Sequence, residues 1–108
     1  MNESRRSIPE IDQQSLRELL RSDEKVVIID VRAEKEFSAG HIEGAVNIPI
    51  DDLSAKAHTI PKDRRIVTAC NAGGARSHRA VEILLGLGHD KTAALSGGTC
   101  GWLAKLGK

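Results

Sequence analysis

The stretch RIVTACNAGGARSHRA, residues 65–80, carries three signals in sequence. Arg65 to Ala69 is a short apolar run with β-branched residues and reads as a buried strand. Cys70 closes it. Asn71, Ala72, Gly73, Gly74 and Ala75 follow as a loop of small residues, and Arg76 ends it. A helix is predicted from about Ser77 to Leu87, with Ala80, Ile83, Leu84 and Leu87 at helical spacing and Gly88 as a left-handed stop. A strand that passes through a tight loop into a helix is one half of a parallel β-α-β unit. Cys70 is thereby placed at a strand's carboxyl end, where ligands bind in open α/β sheets.

The same pattern recurs outward from this unit. Val26 to Asp30 is an unbroken aliphatic run ending in a carboxylate, which suits a strand buried on both faces. Ala33 to Ser38 reads as a short helix stopped near Gly40, and Ala45 to Ile48 as a short strand closed by Pro49. Asp51 or Asp52 is positioned to cap a helix running through Ala57. Upstream, Ile8 to Ile11 is an edge-strand candidate because Pro9 cannot donate to a central ladder. Asp12 reads as an N-cap, with Ile11 and Leu16 spaced as a hydrophobic staple and Leu19 and Leu20 extending the apolar face. Lys91 to Leu95 is a last strand. Gly97 and Gly98 lead into a final helix carrying Trp102 and Leu106. Strands alternating with helices predict an α/β fold: a five-stranded, mostly parallel sheet flanked by helices on both faces. One domain over residues 8–108 is expected, preceded by a flexible tail over 1–7.

Composition narrows the function. The chain has 108 residues, 29% of them charged, with a formal net charge of +1. That balance gives no electrostatic footprint for nucleic acid or a membrane surface. With one Phe, one Trp and no Tyr, the core must be built from Ile, Leu, Val and Ala. Val26 to Ile29 is too short an apolar run to span a bilayer, and Met1 to Ser7 do not read as a secretory leader. Two cysteines, Cys70 and Cys100, make no disulfide framework, so a reducing cytoplasm is the expected location. There is no Cys-x-x-Cys and no paired His, so no metal site is expected, and nothing in the reading implies an organic cofactor.

The loop after Cys70 has the composition of an anion cup. A thiol reacts as its thiolate. A helix N-terminus offers partial positive charge, Arg76 offers a full one, and Gly73 and Gly74 allow successive backbone N–H groups to turn inward. A cysteine at a strand end is otherwise a small buried hydrophobe. The surrounding glycines, arginine and helix start favour a nucleophile.

The segment IIDVRAEKEFSAGHIEGAVNIP, residues 28–49, resembles the first signature of the rhodanese-homology domain. The cysteine loop ending in Arg76-Ser77 and the closing LSGGTCGW, residues 95–102, resemble that family's other two motifs in the same order. The resemblance covers roughly residues 8 to 106 and implies a five-stranded parallel sheet. It implies that Cys70 accepts sulfane sulfur as a persulfide and passes it to a nucleophile. The amides of residues 71–76 would then hold the terminal sulfur, with Arg76 and Ser77 bracing the cup. The implied partners are a small-molecule donor such as thiosulfate or a persulfide, a thiol acceptor with cyanide as substitute, and a protein relay partner.

Five residues separate Cys70 from Arg76, one more than in typical sulfurtransferases of the family. That spacing resembles the cell-cycle phosphatases and the arsenate reductases of the same fold, because a wider loop suits a tetrahedral oxyanion. Against it, Ala69 stands where those phosphatases carry His, and the loop has no carboxylic acid to protonate a leaving oxygen. Sulfur transfer is therefore the leading expectation, oxyanion chemistry the second, and a binding module with little turnover the third.

Asp30 and Arg32 follow a strand end and read either as pocket rim or as structure, with Arg32 paired to Glu36 and Asp30 capping a loop. His41 reads as a turn residue and His78 as solvent-facing. Cys100, beyond the last strand, reads either as a second thiol that resolves a Cys70 persulfide or as a packed cysteine at a helix start.

Overall fold

The computed structural model describes residues 8–72 and 74–106, with side chains up to Ala104. The expectations for the 1–7 tail, Gly73 and the Leu106 side chain fall outside these residues. The strands are β1 (Glu10–Ile11), β2 (Val26–Asp30), β3 (Val46–Asn47), β4 (Arg65–Ala69) and β5 (Thr92–Leu95). They form one sheet in the order β1-β5-β4-β2-β3, every neighbouring pair parallel. The helices are α1 (Gln13–Arg21), α2 (Glu34–Ala39), α3 (Leu53–Lys56), α4 (Ala75–Gly86) and α5 (Gly98–Leu106). The predicted α/β architecture is borne out, with no antiparallel pair in the sheet.

Strand alternation divides the core. Ile29, Ile66 and Cys70 face Leu53 of α3, Ala57 just after it, and Ala80 and Leu84 of α4. Ile28, Val67 and Ala69 face Leu16 of α1, Leu95 and Trp102 of α5. Helices thus cover both faces, and the central strands β2 and β4 are apolar on both sides, as their uninterrupted β-branched runs require. Arg17 lies 4.7 Å over the Trp102 ring, so the only indole is capped by a cation. Asp12 takes the N-cap of α1, its Oδ1 accepting from the Ser15 N–H at 2.7 Å. Ile11 and Leu16 meet in one cluster, as a staple would place them.

Three element readings need correction. First, α4 starts at Ala75, two residues before Ser77, because Gly74 serves as its N-cap and Ala75 and Arg76 are already helical. At the other end Leu87 lies past the helix and is 44% exposed rather than on the apolar face. Gly88 has φ +96° and turns the chain there. Second, neither Asp51 nor Asp52 makes a side-chain cap. A 3-10 turn over Ile50–Asp52 runs directly into α3, and its backbone bonds occupy the positions a cap would fill. Third, the predicted Ala45–Ile48 strand shortens to Val46–Asn47, since the Ala45 N–H is turned back to Ile42 and the Ile48 N–H reaches Asp30 at the strand end.

Candidate functional site

Strand β4 delivers Cys70 to the carboxyl edge of the sheet, and α4 begins five residues later. The Cys70 side chain is 3% exposed, in the core layer shared with α4. Its sulfur accepts from the Gly74 N–H at 3.2 Å. It also donates to Ser77 Oγ at 3.5 Å, and that hydroxyl in turn donates to the Gly74 carbonyl at 3.2 Å. Ser77 is fully buried and is fixed from behind, its own carbonyl accepting from Thr68 Oγ1 at 3.0 Å. If the thiol loses its proton, a rotation of the Ser77 hydroxyl converts it from acceptor to donor. The N-cap of α4 is Gly74, which has no side chain to cover the first-turn N–H groups. Those donors and the positive end of a twelve-residue helix suit an anion bonded at sulfur.

The loop is pinned on its other side. After β5, Gly97 (φ +81°) and Gly98 (φ +59°) both adopt left-handed backbone, a turn that residues with a Cβ resist. The turn presents the Thr99 N–H to the Cys70 carbonyl and the Cys100 N–H to the Asn71 carbonyl, each at 2.8 Å. Cys100 itself is exposed.

A polar network surrounds the loop. Arg32 and Asp30 form a buried ion pair, with Arg32 Nε donating to Oδ1 at 2.9 Å and Nη2 to Oδ2 at 2.8 Å. The hydrogen-bonded carboxylate holds the Arg32 pKa above its ordinary value, against burial, which lowers it. Arg32 also donates to the Gly40 carbonyl at 2.7 Å and to Asn71 Oδ1 at 3.2 Å, so it braces the loop. Thr99 Oγ1 donates to Asp30 at 3.3 Å, and Asn47 Nδ2 donates to the carbonyls of Asp30 and Arg32 at 3.0 Å each.

The expected Arg32–Glu36 pair is replaced by Arg32–Asp30. The four-residue spacing rule holds only on a helix, and the chain at Ala33 is still extended (φ −66°, ψ 156°), so α2 begins after Arg32 has turned inward. Glu36 points to the loop instead. Its Oε2 accepts from Asn71 Nδ2 at 3.0 Å, and its Oε1 accepts from Arg76 Nη1 at 3.4 Å and from the Ala33 N–H at 3.1 Å. Bonding to Asn71, then to Ala33 and Arg76, holds the Glu36 carboxyl below its ordinary range. Sequence reading passed over Glu36, Asn47 and Thr99 as site residues. Glu36 had a signal, since it lies within the Asp-Val-Arg to Glu-Phe segment, but its partner lies forty residues on.

Of the remaining candidates, Asn71 is half-buried and links Arg32 to Glu36, while Ala72, Gly74 and Ala75 are exposed along the loop. His78 does not simply face solvent. Its Nε2 lies 2.6 Å from Glu10 Oε2 and ties α4 to β1. His41 stacks on Phe37 with ring centroids 3.7 Å apart. Among the described residues no group of three His, Cys, Asp or Glu could hold a metal ion, and no helix is long and apolar enough to cross a membrane.

Residues 12–105 match the model of the rhodanese-like domain. A sulfurtransferase of Allochromatium vinosum is 35% identical over 95 residues, 88% of each chain. The human single-domain sulfurtransferase TSTD1 superposes with a TM-score of 0.80 at 27% identity, covering 92% of this chain and 98% of that one. The Arabidopsis thaliana protein HIGH ARSENIC CONTENT 1, mitochondrial, is 39% identical over 87 residues, 69% of this chain and 51% of that longer protein.

Proposed function

This chain belongs to the rhodanese-like domain family, and from that premise we propose that it is a sulfurtransferase carrying sulfane sulfur as a persulfide on Cys70. The observation that carries the reading is the Gly74 N–H directed at Cys70 Sγ from 3.2 Å at the start of α4. In the loading step the Cys70 thiolate attacks the outer sulfur of the donor. With thiosulfate, the sulfur–sulfur bond breaks, sulfite leaves with the bonding pair, and Cys70 holds the anionic persulfide. With an organic persulfide, the departing group is a thiolate and the proton stays on the terminal sulfur. In the discharge step an acceptor thiolate, or cyanide in the laboratory, attacks that terminal sulfur and restores the Cys70 thiolate.

In this reading the amides of Asn71, Ala72, Gly74 and Ala75 form the cup, with Gly73 kept as a sequence candidate outside the described residues, Ser77 steadies the sulfur, and Arg76 stands at the mouth. Asp30 and Arg32 hold the loop from below and are positioning residues. A small-molecule donor, a thiol acceptor and a protein relay partner are the proposed partners, in a reducing cytoplasm. The supporting comparisons are the sulfurtransferases similar over most of the chain.

The spacing of five residues between Cys70 and Arg76 favours a second reading, turnover of a tetrahedral oxyanion such as arsenate or a phosphoester. The test is the intact mass of the reduced protein after incubation with thiosulfate or an alkyl persulfide, beside Cys70→Ser. A gain of one sulfur that is absent in the variant and removed by cyanide is the expected result. No gain, with hydrolysis of a phosphoester or reduction of arsenate by the same preparation, replaces sulfur transfer with the second reading.

A further inference from the structure

Both guanidinium groups beside the loop already have a carboxylate. Asp30 takes Arg32 at 2.8 Å, and Glu36 takes Arg76 at 3.4 Å. Asn71 bridges the two pairs, donating to Glu36 and accepting from Arg32. Four charges therefore cancel pairwise beside the loop. The two pairs differ in kind. The Asp30–Arg32 side chains are 1% and 6% exposed and belong to the frame, whereas Glu36 and Arg76 are 37% and 40% exposed and open to solvent beside the loop.

Resting on the sulfurtransferase reading, we infer that Glu36 is a specificity-determining residue that neutralises Arg76 and so selects organic persulfides of low charge over the thiosulfate dianion. What the loop keeps for an anion is the Gly74 N–H and the start of α4. A helix terminus is equivalent to roughly half a charge, which suits one negative terminal sulfur. A dianion brings a sulfonate as well. It can reach Arg76 only with the Glu36 carboxylate alongside, which repels it, or by displacing that carboxylate. An alkyl persulfide carries at most one charge and no sulfonate, so it meets neither cost in full. The chemistry is unchanged: the Cys70 thiolate takes the outer sulfur with its proton, and the donor's inner sulfur leaves as a thiolate.

The variant that removes this charge is Glu36→Gln. Glutamine keeps an oxygen for the Ala33 N–H at the start of α2 but sets an NH2 against Asn71 Nδ2, a loss common to both donors that cancels in their ratio. The measurement is kcat/KM for thiosulfate and for a neutral alkyl persulfide, each in wild type and variant, at low and high ionic strength. The ratio of thiosulfate to persulfide kcat/KM is expected to rise about twofold to fivefold in the variant, the scale of a partly exposed ion pair. That rise should shrink in high salt. A purely structural role would move both donors together, and an unchanged ratio, or a fall, overturns the inference. A second readout needs no turnover. Sulfate should protect Cys70 from iodoacetamide at lower concentration in Glu36→Gln than in wild type, and equal protection rejects the gate. If wild type loads sulfur from either donor while the ratio stays fixed, the gate fails and the sulfurtransferase reading stands. If neither donor loads Cys70, that reading fails and takes the persulfide selection with it.

Discussion

Asp30 and Arg32 are two residues apart, yet they form a multiply bonded ion pair with almost no exposed surface. The guanidinium donates to the carboxylate through Nε and Nη2, and the Arg32 backbone N–H donates to the same Oδ1 at 3.0 Å. The remaining donors of Arg32 reach the Gly40 carbonyl and Asn71, so the pair joins β2, the end of α2 and the cysteine loop.

Arg32→Leu breaks this joint by leaving the Asp30 charge buried without its counter-ion. Uncompensated buried charges cost about 3–5 kcal/mol. The variant should show a large fall in Tm, and sulfur transfer should fall even well below the new Tm, because Asn71 loses its support. Thermal unfolding paired with loading rate checks both parts. A variant as stable as wild type would show that the pair contributes little to the fold.

Ser77→Ala removes one hydroxyl from a fully buried position. It takes one of two donors from the Gly74 carbonyl, which keeps the His78 N–H at 3.3 Å, and removes the hydroxyl beside Cys70 Sγ. A net loss of about 1 kcal/mol in stability is expected for one hydrogen bond. The thiolate should be less favoured as well, seen as slower iodoacetamide alkylation near neutral pH and a loading rate lower by about tenfold. Alkylation rates measured across pH separate a shifted thiol from a merely blocked one.

The contrast between Asp30 and Glu36 marks how far the sequence alone could be read. Alternating aliphatic strands and amphipathic helices specify the sheet, because burial on both faces leaves the period of each segment little choice. The Cys70 loop was legible for the same reason: glycines, a helix start and an arginine are local signals. Partners were not. Arg32 has acidic residues on either side, at Asp30 and Glu36, and only the backbone turn at Ala33 decides between them. Glu36 meets Asn71 and Arg76 because β2 and β4 are adjacent in the sheet, a long-range fact that spacing does not encode. The start of α4 was misplaced by two residues because Gly74, a weak helix former, serves as the cap.

Acid should loosen the molecule through Asp12 and Glu36. Both carboxyls are held below their ordinary values of 3.8 and 4.5, Asp12 by the Ser15 N–H and Glu36 first by Asn71. The unfolded chain therefore binds protons that the folded chain refuses, and stability rises with pH across that interval. The contribution is complete above the ordinary values and is lost as pH falls through the lowered ones. Urea midpoints measured from pH 6 downward should drop below about pH 4.5, and Asp12→Asn, which can still cap α1, should flatten part of that decline. An identical slope in the variant would remove Asp12 from the account.

Cys100→Ser should leave sulfur transfer and its dependence on reductant unchanged. The two cysteines are close along the backbone, where the Cys100 N–H bonds the Asn71 carbonyl next to Cys70. Their helices nevertheless cover opposite faces of the sheet. The Cys70 sulfur sits in the layer with α4, whereas Cys100 belongs to α5, whose Trp102 packs with α1 and the other face of β4. A disulfide needs Cα atoms within about 7 Å and Cβ vectors that converge. Meeting that need would require the loop to leave the Gly74 and Ser77 contacts that hold the sulfur. Non-reducing mass spectrometry after hydrogen peroxide treatment gives the decisive view. A mass lower by two hydrogen atoms in wild type, absent from Cys100→Ser, would establish a disulfide and make Cys100 the resolving thiol. Oxidation confined to single cysteines, with equal turnover in the two proteins, is the expected result.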